Sequence, residues 1–393
     1  MYKLICVIVI SMTAFACSSK PHQSVSTQEF EISIKDNPPV SSWDDFLSDV
    51  YFIPLETSND AILSEIDKII ITDNRIFIMC RKTGIYIFNI KGKFINNICK
   101  RGKAPFQVNH LFDFSLSIDG KIYALDNGKL LVFDKDGTPI SESFYNINMK
   151  GLGHPINICA FNFDTMFLWH KSDDVKYKYH LSISDSEGNI KKMMLPYTHF
   201  SFASAQFIQC GKDEWGITPS SLNNTIFSIV NGNFIKKYHL KITDNNDNIP
   251  DLTPRNRIDF AKSDQLVHFI NEHDITYAYG DIVYNSNYLL VNMHNMKRGI
   301  YKRALINTHT GDIKYFAFPG APENLFHPQK LYLSDNEYFV SSLDAWQVCK
   351  LIDEGKTTCN FLSAPRRQEI IKGLQNVKET DNPVLMLATF KDK

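Results

Sequence analysis

The stretch Ile85-Tyr86-Ile87-Phe88-Asn89-Ile90-Lys91-Gly92-Lys93-Phe94-Ile95 decides the fold. An apolar run rich in β-branched and aromatic residues meets a polar residue and glycine, and another apolar pair follows at once. Glycine takes the positive φ of a tight reversal without a Cβ penalty, so the stretch reads as a β-hairpin. The arrangement returns five times. Leu130-Leu131-Val132-Phe133 leads to Asp136-Gly137, Leu181-Ser182-Ile183 to Glu187-Gly188, and Ile226-Phe227-Ser228-Ile229 to Asn231-Gly232. Ala304-Leu305-Ile306 leads to Thr310-Gly311, and Val348-Cys349-Lys350-Leu351 to Glu354-Gly355. Successive glycines stand 45, 51, 44, 79 and 44 residues apart.

Upstream of the hairpins lies a second shared feature. Ile66-Asp67-Lys68-Ile69-Ile70-Ile71, then Asp73-Asn74, then Arg75-Ile76-Phe77-Ile78 reads as strand, turn, strand. Asp113–Leu116 with Asp119-Gly120 and Lys121–Ala124 does the same, as does Lys330–Leu333 with Asp335-Asn336 and Glu337–Val340. Four short strands per ~45 residues is the arithmetic of a propeller blade. The expected fold is all-β, a six-bladed β-propeller with four-stranded antiparallel blades. Tyr51–Leu55 and Pro383–Ala388 are the expected closing strands, sharing one blade so that no edge stays open. One short C-terminal helix, Arg366 to Val377, should pack nearby. The 79-residue interval implies an insertion at about 241–267, whose Asp244–Asn248 loop, followed by Pro250 and Pro254, should protrude.

With 393 residues, 44% hydrophobic, the chain can bury a large core. Its 28 Phe and 17 Tyr exclude disorder. A formal charge of −1 offers no basic footprint, so no nucleic-acid partner is expected. Residues 1–16 have the layout of a secretory signal: Lys3, an apolar run from Leu4 to Ile10, then a small-residue exit ending Ala14-Phe15-Ala16. Cys17 follows immediately, as the acylated cysteine of a bacterial lipoprotein does. An acylated chain sits on a membrane without spanning it. The expected organisation is therefore a lipoprotein signal peptide over 1–16, acylated Cys17 with a flexible tether over 17–49, and the propeller over 50–393. The absence of an acidic run after Cys17 favours the periplasmic side over the cell surface.

Phe52-Ile53-Pro54-Leu55-Glu56-Thr57, the strand-turn-strand of residues 66–78 and Asn382-Pro383-Val384-Leu385 resemble the six-bladed β-propeller lipoproteins of Bacteroides and relatives. Blades in that family are similar to NHL repeats. The resemblance runs from about residue 30 to the end and implies a fold and an envelope location, with no settled activity. The family's Asp after the second strand of a blade is matched by Asp126 and Asp344, whereas Cys80-Arg81 departs from it. Its Gly-Pro-Gly-Glu loop is here Arg101-Gly102-Lys103-Ala104-Pro105-Phe106-Gln107, which lacks the second glycine and the acid.

Chemistry is harder to find. His268 and His273 lack zincin spacing, and the Asp244–Asn248 loop lacks the glycine and terminal Glu of an EF-hand. No cofactor is expected, with a divalent cation in the channel kept as a minor alternative. Neither a Gly-x-Ser-x-Gly elbow nor a phosphate loop occurs. Asp67 and Asp113 hold matched positions where inner strands begin, so their side chains either reach the channel or satisfy nearby backbone amides. Trp169, Trp215 and Trp346 lie near expected strand ends, and Trp215, beside Glu214 and Gly216, is the candidate for a binding groove. Reading Asp353-Glu354-Gly355 as a three-residue hairpin loop sets Cys349 opposite Cys359, where a disulfide is geometrically allowed. A slip of one residue would put the two thiols on opposite faces. Cys80, Cys99, Cys159 and Cys210 read as small buried apolar residues.

The functional expectation is a monomeric, lipid-anchored envelope module that binds a glycan, a peptide or an envelope protein. The alternative is a saccharide-active lyase or hydrolase with its site in the central channel.

Overall fold

The computed structural model describes residues 27–391, except 73, 145–150, 171–177, 197–206, 212, 218–221, 223, 246–262, 280–281, 319, 321 and 335–337. The leader, Cys17, the first part of the expected tether, Pro250 and Pro254, Asp73, and the Asp335-Asn336 turn lie outside the described residues.

Two strands precede the first blade, β1 (Gln28–Ile32) and β2 (Leu47–Pro54). Blade 1 is β3 (Lys68–Ile71), β4 (Arg75–Cys80), β5 (Gly84–Asn89) and β6 (Phe94–Ile98). Blade 2 is β7 (Asp113–Leu116), β8 (Ile122–Asp126), β9 (Lys129–Phe133) and β10 (Pro139–Phe144). Blade 3 is β11 (Pro155–Asn162), β12 (Thr165–His170), β13 (Tyr179–Ser184) and β14 (Ile190–Pro196). Blade 4 is β15 (Phe207–Gly211), β16 (Glu214–Ile217), β17 (Thr225–Val230) and β18 (Asn233–Ile242). After helix α1 (Ser263–Glu272), blade 5 has an interrupted inner strand, β19 (Thr276–Ala278) and β20 (Val283–Tyr284), then β21 (Tyr288–Asn295), β22 (Ile300–Asn307) and β23 (Ile313–Ala317). Blade 6 holds β24 (Leu331–Ser334), β25 (Tyr338–Leu343) and, after helices α2 (Ala345–Asp353) and α3 (Ala364–Leu374), β26 (Val384–Phe390).

The six sheets form the ring that the repeat predicts. Middle strands such as β5 and β8 are buried on both faces, because each blade is covered by its two neighbours. Outer strands such as β10 are largely exposed and accordingly polar. Six apolar clusters fill the six seams, from Phe77 and Phe114 between blades 1 and 2 to Leu385 and Ile76 between blades 6 and 1. Each fully buried Phe or Ile contributes about 1.5–3 kcal/mol to this packing.

Closure follows the expected plan. β2 pairs antiparallel with β26, Val50 opposite Ala388 and Pro54 opposite Val384, so an early and a late strand share blade 6. α3 lies against β2, where Arg366 stacks on the Tyr51 ring at 5.0 Å.

Two expectations need correction. Residues 17–49 are not all tether, because β1 adds to blade 4 as a fifth strand, parallel to β18, and buries Phe30 and Ile32. Backbone donors and acceptors on the outer edge of β18 make that addition favourable. Most of the expected insertion, residues 246–262, lies outside the described residues; at its start the Asp244 carboxylate accepts from Ile34 N (2.8 Å) and Thr276 Oγ1 (3.1 Å). Residues 348–351 are helix, not strand. In α2, Ala345, Val348 and Leu351 fall three apart on one buried face, and Gln347 Oε1 accepts the Asp344 N–H at the N-terminus. Five of the six glycine turns are hairpins between third and fourth strands; Gly355, φ +67°, instead follows the C-cap of α2, where a left-handed residue ends a helix.

Candidate functional site

The axis of the ring is lined by the inner strands. Lys68, at the start of β3, is buried and donates from Nζ to Asp113 Oδ1 (2.9 Å) and to Phe114 O (2.7 Å) on β7. Asp113 Oδ2 accepts from Ile158 N (3.0 Å) and Asn157 Nδ2 (3.4 Å) on β11. One ion pair therefore joins three blades. Asp67, half-buried next to Lys68, accepts from Arg81 N (2.8 Å) and pairs with the Arg81 guanidinium. Both carboxylates thus serve backbone amides and neighbouring cations. A cavity between the inner-strand residues Asp67–Ile69, Phe207–Gln209 and Tyr332 holds about 10 Å³, about the room one water molecule needs.

Trp215 is not in a groove. It is 4% exposed in the seam between blades 3 and 4, edge-on to Phe161. Strand alternation turns its indole inward, and Gly216 beside it has no room for a Cβ, which would meet the Tyr284 ring at 2.6 Å. Trp169 is likewise buried, stacked on His180 at 5.0 Å. The expected Cys349–Cys359 disulfide is also absent. Both thiols are free, Cys349 lies on α2 with its Sγ donating to Val377 O (3.4 Å), and the hairpin that would have opposed them does not form. Asp126 shapes a loop by accepting from Asn109 N (3.1 Å) and His110 N (2.8 Å), and Asp344 caps α2. Among the described residues, no three His, Cys, Asp or Glu side chains converge as metal ligands would.

The open site lies at the seam of blades 5 and 6. A cleft of about 490 Å³ is bounded by residues 40–43, the end of β23 with residues 322–324 and 327–329, and α2 with its C-terminal turn. Each wall is held by the backbone. Ser41 N donates to Tyr315 O (2.7 Å), which lays the N-terminal segment along β23. Leu325 N donates to Lys356 O (3.0 Å), and Asn324 Nδ2 to Thr358 O (2.7 Å), which fixes the loop against the segment after α2. His327 Nε2 lies 3.2 Å from Asp44 Oδ1 and ties that loop to the N-terminal wall.

Aromatic side chains line the cleft, Trp43 and Phe316 buried and Trp346 exposed. Trp43 stacks on Phe316 at 4.0 Å and 18°, while Trp346, at the first turn of α2, is 48% exposed. On the rim, Glu354 pairs with Lys356 (2.8 Å) and lies near Lys350 (3.9 Å). Arg303, from β22, lines the cleft although it is only 4% exposed. Burial pushes its guanidinium pKa down to about 10, so it remains charged at neutral pH. Trp346 was among the tryptophans noted in the sequence; Arg303 was not. Its signal was there: in Ile300-Tyr301-Lys302-Arg303-Ala304-Leu305, period-2 alternation puts Arg303 on the face of the buried Leu305.

No match exists among curated proteins. The chain is similar to the crystal structure of a candidate exported protein from Bacteroides fragilis, with a TM-score of 0.71 at 15% identity over 93% of this chain and 100% of that one. It also matches a member of the DUF4221 family from Bacteroides vulgatus, with a TM-score of 0.45 at 11% identity over 88% of this chain and 97% of that one. At such identities the first likeness speaks for the propeller fold alone. The sequence itself carries the assignment: the chain belongs to the family described as a domain of unknown function, DUF4934, whose model matches residues 28–389.

Proposed function

We propose that the protein is an exported, lipid-anchored binding module of the bacterial envelope, and that it holds a glycan in the cleft between blades 5 and 6. The observation that carries this reading is the contrast between two spaces. The cleft, at about 490 Å³, has the volume of a small-ligand site and an exposed indole at its edge. The cavity between the inner strands, at about 10 Å³, has no room for a sugar. That weighs against a lyase or hydrolase in the channel, whose acids would have to converge there. The leader and Cys17 support export and anchoring, with the periplasmic side favoured, and a relative described as a candidate exported protein agrees with them.

The test is a thermal-shift panel of saccharides, peptides and divalent cations, with a chelator-treated control. A ligand of the native state raises stability by about 2.7 kcal/mol at a hundredfold excess over Kd. Trp346→Ala should leave the unliganded melting temperature nearly unchanged, because the side chain is half-exposed, and should remove the sugar-induced shift. A sugar-induced shift that survives Trp346→Ala moves the site elsewhere and overturns the reading. For the anchor, Cys17→Ala should release the protein from membranes on fractionation, and unchanged association refutes acylation.

A further inference from the structure

We propose that Arg303 is the anion-recognition residue of the cleft and that the ligand is a sugar ring bearing a carboxylate; this rests on the cleft being the binding site. The argument starts from what Arg303 lacks. Its side chain has no hydrogen bond or ion pair among the described residues, although it is as deeply buried as Lys68. Other sheltered cations among the described residues are partnered, such as Lys68 by Asp113 (2.9 Å), Lys129 by Glu142 (2.8 Å) and Lys237 by Glu214 (2.5 Å). A buried charge is costly unless it is paired and hydrogen-bonded, so a solitary guanidinium is a group kept for a partner outside the chain.

The surroundings narrow the partner's chemistry. Neither acid that lines the cleft, Glu323 or Glu354, forms an ion pair with Arg303. Glu354, on the rim, is already shared by Lys350 and Lys356. Register sets Arg303 opposite Phe316, on which the Trp43 indole stacks, so the two residues share a sheet face. A planar guanidinium fork matches a carboxylate bidentately, and flat aromatic surfaces suit a ring. The cleft is far larger than an inorganic anion requires, which calls for a ligand with a body.

The test uses calorimetry on the full-length protein in detergent, with glucuronate, glucose and inorganic sulfate as probes, on wild type, Arg303→Met and Trp346→Ala. Glucuronate should bind at least about tenfold tighter than glucose, and Arg303→Met should weaken it by about tenfold or more, the usual worth of a charged hydrogen bond. Arg303→Met should also raise the melting temperature of the unliganded protein, because it replaces an uncompensated buried charge by an apolar side chain of similar length. An arginine serving only the fold would instead lower it, and that result overturns the proposal. So does unchanged glucuronate affinity in Arg303→Met, or sulfate binding as tightly as glucuronate. Trp346-dependent binding of glucose with no preference for glucuronate overturns the carboxylate and leaves the cleft reading standing. No Trp346-dependent binding of any sugar overturns both.

Discussion

Lys68 and Arg303 carry the same charge at similar burial and meet opposite fates. Lys68 at the axis is enclosed by Asp113 and the Phe114 carbonyl, and Asp113 passes the connection on to β11. Removing Asp113 would leave a buried ammonium with one carbonyl and would strip the Ile158 amide of its acceptor. Asp113→Ala should therefore cost about 3–5 kcal/mol in chemical denaturation, whereas the double change Lys68→Met with Asp113→Leu should cost distinctly less. A single-variant loss below about 1 kcal/mol would mean that water replaces the carboxylate. Trp215 makes the complementary point. Polar Glu214 and the close backbone access at Gly216 point to a groove, yet Glu214 pairs with Lys237 and Gly216 is small because the Tyr284 ring needs the space.

At the scale of elements, the X-Gly signal proved to have two uses. In blade 1 it is a hairpin turn that also braces ring closure: Gly92 O accepts from Glu56 N (2.8 Å), and a Cβ on Gly92, φ +79°, would run into the Pro54 carbonyl. Gly311, φ +78°, makes a similar turn with nothing within 4 Å of such a Cβ. Gly92→Ala should destabilise the protein by clearly more than the roughly 1 kcal/mol expected of Gly311→Ala. Equal losses in urea would show that backbone strain alone matters at both sites. Gly355 carries the same φ sign but terminates α2. A capping box was present in Asp344-Ala345-Trp346-Gln347, and it outweighs the short apolar run that otherwise looks like a strand. This helix matters because it carries Trp346 and forms one wall of the cleft.

The whole molecule should be acid-sensitive for a reason spread over two blades. His170, hydrogen-bonded to Gly153 O (2.8 Å) and Ser182 Oγ (2.7 Å), and His294, among Tyr277, Tyr279, Tyr301 and Phe318, are both buried. Burial disfavours their charged forms and pushes each pKa down to about 4. Near neutral pH both are uncharged in folded and unfolded chains alike. As pH falls through ~6.5, the unfolded chain takes up protons that the native state refuses until about 4, so stability is lost across that window. The loss is bounded at roughly 3 kcal/mol per histidine. His294→Phe should lose less melting temperature between pH 7 and 4.5 than wild type, and an equal loss would remove His294 from the account.

Legibility in the sequence followed the range of the interactions. The blade count, the hairpin glycines, the closing strands and the C-terminal helix were readable because each rests on local periodicity or on a short turn that only some residues can make. β1 was not, because five residues of polar–apolar alternation become a strand only when β18 offers an edge more than 200 positions away. The cleft was not either, since its walls come from residues near 40, 303, 320 and 350, and only the closing of blade 6 against blade 5 brings them together. Local sequence, acting through backbone sterics and strand alternation, determines six sheets and their order. Which carboxylates are consumed within the ring, which cation is left unpaired, and where space remains are decided by packing between blades, because those are properties of side chains that meet only in the tertiary structure.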